Sequence, residues 1–397
     1  MGPGIVSGAA DNDPSGVVTY IQIGATTGFG LLWLMLLSTP MLYYLEEMST
    51  RLGVVTKHGL GRIVRVRYGR GVAMAVVLPL IVSNIITLGA DLAGTGAAIQ
   101  LLTGVSWEWW IVPLAVALGV MLVYLSYRTI SRFLLLLTPL FLLYIVTGFI
   151  VHPNWSAVLR ATFVPSIQFT PTYFAAALGL LGATLTPYMF FWQTNEEVEA
   201  HRTVKDLGDE NVDVAVGMVY ANVVFYFIIL VAGAVLFGRG GGISTVAQAA
   251  ASLRPLAGPA ATTLFALGIL VSGFLSLPVM AACSAYALAE VFGWAEGLDK
   301  KVWQARGFYL LLGGALAVGA GIAHVGIPPV LLMFWSQVLN GLLLPPLFVV
   351  LLLLSSDRLI CRAHTNRTAS LVVGWGTVLV TLSLALLTIQ QLIAGNH

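Results

Sequence analysis

The chain has 397 residues, of which 58% are hydrophobic and only 9% are charged, and its formal net charge is +2. Soluble domains carry about a quarter charged residues, so this composition excludes a soluble globular protein and predicts an integral membrane protein with the lipid bilayer as its environment. The charge is close to zero and no basic cluster lies outside the short loops, so we expect no nucleic-acid partner.

Eleven apolar runs in the chain are long enough to cross a bilayer, which takes a helix of about 20 residues. No soluble domain fits between them, so one all-α transmembrane domain is predicted over residues 1–397. The first seven residues carry no basic segment, and we expect no cleavable signal peptide. The predicted spans cover residues 4–24, 29–52, 72–102, 109–126, 133–151, 173–193, 214–237, 262–292, 307–323, 330–354 and 369–393.

The loops between these spans alternate in charge. If the N-terminus is cytoplasmic, 16 of the 19 Lys and Arg residues fall on the cytoplasmic side, as the positive-inside rule requires. Only Arg160, Arg239 and Arg254 are then left outside. We therefore expect a multi-pass protein of the cell membrane with a cytoplasmic N-terminus.

Residues 8–16 interrupt the first span with two carboxylates and a proline, Asp11, Asp13 and Pro14. An ionised carboxylate in hydrocarbon costs a few kcal/mol or more, so an intramembrane Asp marks a functional site. Pro14 has no N–H to donate and should break the helix. Because broken backbone is tolerated at membrane depth only where it is buried in protein or lines a cavity, this span is predicted to carry an ion or substrate site.

The sixth span contains a second break at residues 182–187, which read Gly-Ala-Thr-Leu-Thr-Pro. Carbonyls freed just before Pro187, together with the Asp13 carboxylate, would form a set of hard oxygen ligands that suits a cation. The alternative is a proline kink whose backbone groups are satisfied by the hydroxyl groups of Thr184 or Thr186. The presence of two breaks, one of them acidic, favours the cation site.

A weak internal repeat relates the two halves of the chain. Residues 83–104 align without gaps with residues 272–293, and the two broken spans have the same offset of five spans. An odd offset places the second copy upside down in the membrane, which is the inverted-repeat architecture of secondary transporters. The repeats are predicted at about residues 1–151 and 172–354, with one extra helix at about 369–393.

Short motifs follow one another along the chain: Gly2-Pro3-Gly4, Asp13-Pro14-Ser15-Gly16, Gln22, Arg51-Leu52-Gly53, Gly182-Ala183-Thr184 with Pro187, and Ser336-Gln337-Val338 with Pro345. In this order they resemble the Nramp family of divalent-metal transporters, through all ten core spans. The resemblance implies a LeuT-like fold of two inverted five-helix repeats. It also implies that Asp13 is the central metal ligand, that Ala10 and Ala183 contribute carbonyls, and that Gln337 contributes a side chain from span ten.

Three positions depart from the pattern of that family. Gly16 stands where the family has Asn, and Thr186 stands where it has Met. Replacing a soft thioether by a hydroxyl removes the discrimination against Mg²⁺, and the smaller Gly16 widens the pocket for a partly hydrated ion. Asp11 is an additional acid. We expect it to bind the cation, and the alternative is a contact with the helix break or with Asn12.

The proton route of the family is also altered. Span three of the family carries Asp-x-x-Glu; here Asp91 is kept but the Glu is replaced by Gly94. The His of span six is replaced by Tyr188, which does not titrate near neutral pH. We expect Asp91 to be structural and hydrogen-bonded, the alternative being a lone proton carrier. Proton coupling is therefore predicted to be weak or absent.

Three glutamates, Glu196, Glu197 and Glu199, lie at the inner end of span six and are followed by basic residues. A solvated helix end with ion pairs is the preferred interpretation. The alternative is an acidic exit vestibule for the cation.

These departures match the Nramp-related magnesium transporters, a prokaryotic branch of the family. The predicted function is alternating-access import of Mg²⁺ and Mn²⁺ without proton coupling, by a monomer that needs no cofactor. Two alternatives are a proton-coupled Mn²⁺/Fe²⁺ importer of the Nramp type and a sodium-coupled organic-solute symporter. No enzyme is expected, because the six histidines are scattered and no nucleophile–base set is visible.

Overall fold

The computed structural model describes residues 11–124, 138–240, 242–298 and 300–394. Over these ranges the chain forms α-helices and short 3₁₀ turns and contains no β-strand, which confirms the predicted all-α fold. The helices are α1 (Pro14–Thr27), α2 (Leu32–Thr56), α3 (Leu60–Thr103), α4 (Glu108–Tyr124), α5 (Leu142–Ile150), α6 (Trp155–Phe163), α7 (Pro171–Thr184), α8 (Pro187–Glu199), α9 (Leu207–Val235), α10 (Val246–Ala250), α11 (Arg254–Ala257), α12 (Ala261–Phe292), α13 (Arg306–Ala323), α14 (Pro329–Ser356), α15 (Arg358–Cys361) and α16 (Thr368–Ala394).

Each of the eleven predicted spans overlaps a helix in the described residues. Seven helical segments there, or eight if the bent pair α5–α6 counts as one span, are long and apolar enough to cross a bilayer. α1 and α4 are shorter, with 14 and 17 residues. α2 is long enough, but Glu46, Glu47 and Arg51 make its second half polar.

Two of the predicted spans differ in shape from the helices. α3 begins at Leu60 and not at residue 72, and it is broken at Gly69, whose φ of 87° and ψ of 168° are accessible to glycine. The connection between the second and third spans is therefore mostly helical. The segments Pro139–Ile150 and Trp155–Phe163 meet at an angle of 119°, so the fifth span turns sharply after residue 150.

α1 and the pair α7–α8, which is interrupted before Pro187, lie in the interior of the bundle. α1 packs against α7, α9 and α14, and α7 packs against α14. Glycine permits the closest approaches: a Cβ at Gly182 would lie 1.9 Å from the Gln337 carbonyl oxygen, and one at Gly24 would lie 2.5 Å from the Ile229 carbonyl oxygen. Small residues thus bring the backbones of four helices together around the breaks.

The outside of the bundle is apolar where lipid is expected. α4 exposes more than half of Val112, Val116 and Val120, and it buries Leu114 and Leu118 on its other side. Apolar residues on both faces of a helix are typical of a membrane span at the edge of a bundle, with one face toward protein and one toward hydrocarbon.

Candidate cation site

The first break ends where α1 begins at Pro14. Asp13 is the N-cap of this helix: its backbone is extended (φ −71°, ψ 157°), and its Oδ1 accepts a 2.6 Å hydrogen bond from the Gly16 N–H. Asp is a favourable N-cap, and Pro is favoured at the first helical position because no N–H is needed there. A Cβ at Gly16 would lie 2.4 Å from the same oxygen, so glycine leaves room for the carboxylate. Ala10 lies outside the described residues.

The second break separates α7, which ends at Thr184, from α8, which begins at Pro187. The Thr186 hydroxyl lies 2.9 Å from Asp11 Oδ1 and 3.0 Å from the Ala183 carbonyl oxygen. The contact with Ala183 is the hydroxyl repair expected for a proline kink, and the contact with Asp11 joins the two breaks. One hydroxyl proton cannot serve both oxygens at once, so this arrangement leaves an acceptor available between α1 and α7.

Gln337 of α14 contacts Asp13 from a third element. Its Nε2 donates to Asp13 Oδ2 at 3.0 Å, and its Oε1 accepts from Asn340 Nδ2 at 2.9 Å. Asn340 reaches α3, where Ser83 Oγ donates to its Oδ1 at 2.5 Å. Gln337, Asn340 and Ser83 form a buried row of polar groups, called here the amide row, that connects Asp13 to α3.

Asp91 of α3 holds the first turn of α1. Its Oδ1 accepts hydrogen bonds from the backbone N–H and from the hydroxyl of Ser15, at 2.8 and 2.5 Å. The residue is 0% exposed. These are the contacts of the structural, hydrogen-bonded Asp that the sequence predicts.

The two altered proton-route positions lie beside the site. A Cβ at Gly94 would lie 2.5 Å from Met333 Sδ and 3.6 Å from the Pro14 Cβ, so Met333 occupies the space that a longer side chain at position 94 would take. Tyr188 is buried, and its hydroxyl has no hydrogen-bond partner in the described part of the chain. The phenol interacts electrostatically with Asp13.

The site is acidic and buried. Asp11, Asp13 and Asp91 are 2%, 1% and 0% exposed, and within the described ranges none of them forms an ion pair with Lys or Arg. Asp11 Oδ2 and Asp91 Oδ2 also have no hydrogen-bond partner there. Burying unpaired charges costs several kcal/mol per ion, so these carboxylates require protons or a cation.

Carboxylates alone do not complete a metal site. Among the described residues, no group of three or more His, Cys, Asp or Glu side chains is arranged to hold a metal ion. The other oxygens near Asp11 belong to the Thr186 hydroxyl and the Ala183 carbonyl, and the Gln337 amide would bring its oxygen to Asp13 if it rotated by half a turn. Two carboxylates with neutral oxygens suit an ion such as Mg²⁺, which keeps several of its waters.

A cavity of about 510 Å³ lies beyond the site, between the end of α3, α10 and the start of α14. Its lining includes Ala97 and Val330, which are one helical turn from Gly94 and Met333, respectively. The contact between Met333 and Gly94 therefore lies between this cavity and Asp13. The helix ends around the cavity are those predicted to be extracellular.

Three residues were not predicted as parts of the site, although each contacts a residue that was predicted: Ser15, Asn340 and Met333. Single Ser, Asn and Met residues are ordinary packing residues in membrane helices. Their roles depend on partners from distant elements, which no local pattern shows. The relevant signal was their spacing: Asn340 and Met333 lie one turn on either side of Gln337.

The preferred interpretation of the glutamates at the inner end of α8 is wrong for Glu197. Glu197 is 0% exposed, and its Oε1 accepts a 2.8 Å hydrogen bond from Gln193 Nε2. It forms no ion pair in the described part of the chain. Its side chain turns into the contact with α2, whereas Glu196 and Glu199 are partly exposed.

The fold matches solved transporters. A manganese transporter from Eremococcus coleocola superposes with a TM-score of 0.76 at 21% identity, over 98% of this chain and 84% of that chain. Mhp1, a nucleobase-cation-symport-1 family transporter, superposes with a TM-score of 0.59 at 15% identity, over 99% of this chain and 91% of that chain. These superpositions show that the chain has the LeuT-like, inverted-repeat fold.

The family model described as natural resistance-associated macrophage protein-like matches residues 4–391. The chain belongs to the Nramp family, a family of membrane transporters, and it is a multi-pass transporter and not an enzyme. The divalent metal cation transporter MntH of Deinococcus radiodurans is 28% identical over 418 residues, covering 100% of this chain and 90% of that protein. The MntH of Chromohalobacter salexigens is 28% identical over 403 residues, covering 97% of this chain and 89% of that protein.

Proposed function

We propose that this protein imports Mg²⁺, and also Mn²⁺, across the cell membrane by alternating access and without moving protons. The observation that carries the proposal is the buried pair Asp11 and Asp13, which has no basic partner in the described part of the chain. Hydroxyl, carbonyl and amide groups of Thr186, Ala183 and Gln337 surround the pair. Hard oxygen donors prefer hard cations, and a divalent ion neutralises both carboxylates.

Relatives support a divalent metal ion as the cargo. Those named above are divalent metal cation transporters, and the solved relative is a manganese transporter. A sodium-coupled carrier of organic solutes, the more distant alternative, would need to attract the anionic groups common in such solutes. The charges of Asp11 and Asp13 oppose that.

The chemistry of position 186 supports Mg²⁺ among the divalent ions. Thr186 presents a hydroxyl to Asp11 at the position where the Nramp resemblance expects the thioether of Met. Soft sulfur favours transition metals over Mg²⁺, and a hydroxyl does not. Gly16 carries no side chain, so the Asp13 carboxylate lies directly against its backbone and no amide side chain competes with water for the ion.

The surroundings of the site support transport without protons. Position 94 has no carboxylate, and Met333 fills the space there. Asp91 is already bonded twice to Ser15. Coupling is also unnecessary, because two charges moving inward down a potential of 100 mV gain about 4.6 kcal/mol.

A proton-coupled Mn²⁺ importer is the second candidate. One observation favours it besides the names of the relatives: Asp91 Oδ2 is buried and has no hydrogen-bond partner in the described residues, so this oxygen is able to take up a proton.

In the proposed arrangement the N-terminus is cytoplasmic, and the transporter acts as a monomer without a cofactor. Inverted repeats at about residues 1–151 and 172–354 move relative to each other around the site. The helix over residues 369–393 lies outside the repeats. The number of Lys and Arg residues on the side assigned to the cytoplasm, 16 of 19, supports this orientation.

Purified protein in liposomes tests the proposal directly. Uptake is followed with a Mg²⁺ or Mn²⁺ indicator inside the liposomes, and internal pH is followed with a second dye, under an inside-negative potential. We expect saturable uptake of both ions with no internal acidification. Acidification that accompanies Mn²⁺ uptake, with no uptake of Mg²⁺, would establish the second candidate instead.

A further inference from the structure

At the inner end of the molecule, the end proposed to be cytoplasmic, α2 and α8 lie directly against each other. Gln193 Nε2 donates to Thr50 Oγ1 at 3.1 Å, and Thr194 Oγ1 lies 3.4 Å from the Ser49 carbonyl oxygen. A Cβ at Gly53 would lie 2.5 Å from the Thr194 carbonyl oxygen. These two helices therefore leave no open passage between them over their last turns.

Two glutamates lie in this contact, Glu46 on α2 and Glu197 on α8, and both are 0% exposed. In the described part of the chain, neither carboxylate oxygen of Glu46 has a hydrogen-bond partner. Glu197 Oε1 accepts from Gln193 Nε2 at 2.8 Å, but its Oε2 also has no partner there. The two carboxylates interact electrostatically with each other.

This pair continues a series of acidic groups that begins at the candidate cation site. Glu46 interacts electrostatically with Asp11, and Glu197 interacts with Glu210 near the start of α9. Glu210 is itself paired with Arg202 at 2.8 Å. Asp11, Glu46, Glu197 and Glu210 therefore follow one another from the site toward the inner surface.

The glutamate next to this pair differs from it in one respect. Glu47 on α2 forms an ion pair of 3.1 Å with Arg51, whereas Glu46 and Glu197 form no ion pair in the described residues. Leaving two neighbouring carboxylates ionised, buried and unpaired costs several kcal/mol per ion. The pair must therefore bind a cation or take up protons.

We propose that Glu46 and Glu197 form a second, transient binding station for the transported divalent cation, occupied after the ion leaves Asp11 and Asp13. The proposal rests on the proposed function in one respect, which is that the cargo is a divalent cation. Mg²⁺ keeps several waters and binds through one or two carboxylates, and this pair supplies two. The station offers fewer protein oxygens than the main site and should bind the ion more weakly. Weak binding is needed there, because the ion must leave the station to reach the cytoplasm.

Binding at the station is measured with the main site weakened. Purified Asp13→Asn protein is titrated with Mn²⁺, and free Mn²⁺ is followed by electron paramagnetic resonance. We expect the triple variant Asp13→Asn/Glu46→Gln/Glu197→Gln to bind one Mn²⁺ ion fewer than the single variant Asp13→Asn. The matched control Asp13→Asn/Glu47→Gln should bind as many ions as Asp13→Asn, because Glu47 is turned to Arg51. Equal binding by the triple variant and Asp13→Asn would overturn the proposal.

Transport gives a second, independent measurement. In liposomes, Glu46→Gln/Glu197→Gln should lower the maximal rate of Mg²⁺ and Mn²⁺ uptake about tenfold and change the half-saturating concentration by less than about twofold, because the ion meets the station only after it has bound. Glu47→Gln should stay within about twofold of the wild-type rate, because the Glu47 carboxylate is paired with Arg51 and is not part of the station.

The outcomes separate this proposal from its main competitor and from the proposed function. If the pair merely shares a proton, the glutamine variants imitate the protonated form, transport at the wild-type rate and lose no bound ion; that result overturns the station. If the wild-type protein itself takes up no divalent ion, the proposed function fails, and the Mn²⁺ titration still decides whether Glu46 and Glu197 bind a cation.

Discussion

Asp13 uses both of its carboxylate oxygens in the structure. Oδ1 caps α1 through the Gly16 N–H, and Oδ2 accepts from Gln337. Its charge and its capping role are separable by mutation, because Asn caps a helix about as well as Asp does.

Asp13→Asn is therefore expected to keep the fold and lose the function. Removing one charge about 4 Å from a cation costs on the order of 4 kcal/mol per charge of the ion at an effective dielectric constant of 20, so affinity should fall by about 1,000-fold or more. In detergent, Mg²⁺ at 100 times its Kd should stabilise the wild-type protein by about 2.7 kcal/mol, and the same concentration should not shift the melting temperature of Asp13→Asn. An equal Mg²⁺-dependent shift in both proteins would remove Asp13 from the site.

Position 186 is the residue at which selectivity is open to change. Thr186→Met replaces a hydroxyl that contacts Asp11 by a thioether, which prefers Mn²⁺ and Cd²⁺ to Mg²⁺. We expect the ratio of Mn²⁺ to Mg²⁺ uptake to rise about tenfold, which corresponds to about 1.4 kcal/mol. Competition between the two ions in liposomes measures this ratio, and Thr184→Met, two positions earlier at the last residue of α7, is the matched control. An unchanged ratio in Thr186→Met would mean that position 186 does not touch the ion.

Those residues of the site that belong to a local sequence pattern were predicted. Asp13 and Pro14 form a recognisable cap and helix start, and Thr186 precedes a proline. Asn340 and Glu46 were not predicted, because their importance depends on the residues that another helix places next to them. The prediction that Asp91 is structural and hydrogen-bonded did not name Ser15, from which Asp91 accepts two hydrogen bonds.

At the scale of helices, the breaks are held in place by contacts between backbones. Gly182 of α7 lies against the Gln337 carbonyl of α14. In the other direction, Gly341 of α14 lies against the Leu178 carbonyl of α7, and a Cβ at Gly341 would be only 2.5 Å from that oxygen. The two helices thus approach each other through glycine in both directions.

Gly182→Ala should force α7 and α14 apart, because its Cβ would lie 1.9 Å from backbone oxygen. Overpacking of this kind costs about 2 kcal/mol, and the displaced Gln337 should weaken Mg²⁺ uptake as well. Gly179→Ala, one turn earlier on α7, is the control, since its Cβ would meet only side-chain atoms at 3.3 Å or more. Melting temperature and uptake are measured for both; comparable losses in the two variants would contradict a specific role of position 182.

Helices were predicted well where apolar runs are long, and less well where backbone geometry decides. The helix at Leu60 begins twelve residues before the predicted span because its first turns are basic and lie outside the apolar pattern. No proline lies next to the break at Gly69, so the sequence did not predict it. The turn between α5 and α6 coincides with Pro153 and the N-cap Asn154, which mark the helix boundary but do not give the angle of 119° between the two segments.

At the scale of the whole molecule, the face assigned to the cytoplasm contains a half-buried acidic group outside the spans. Glu296 lies in the connection between α12 and α13. Burial raises the pKa of its carboxyl to about 7, although the charges of Arg62, Lys300 and Arg65 act in the opposite direction. This residue therefore titrates in the physiological range.

The folded state holds a proton on Glu296 up to about pH 7, whereas the unfolded chain releases it near the ordinary value of 4.5. The contribution of this group to stability is therefore fully present below pH 4.5 and is lost as pH rises toward 7. We expect the melting temperature of the wild-type protein to fall relative to that of Glu296→Gln between pH 5 and pH 8. Parallel curves for the two proteins would contradict the raised pKa.

The inverted-repeat architecture was within reach of the sequence because hydropathy and two proline breaks at an offset of five spans bear on the whole chain, and the resemblance to the Nramp family implied its LeuT-like form. The burial of Glu197 was not predictable in this way, because it arises from the contact between α2 and α8. Long-range contacts of single polar residues are invisible to any pattern read along one helix.

The amide row gives the transporter a means to register its cargo. Gln337 now turns its NH₂ group toward Asp13 and its oxygen toward Asn340. A cation on Asp13 repels that NH₂ group, so Gln337 must rotate by half a turn. Asn340 must then rotate too, so that its oxygen meets Gln337 and its NH₂ meets Ser83. The arrival of an ion would thus reverse a line of dipoles from α14 to α3, and a distant helix would sense occupancy before any helix has tilted.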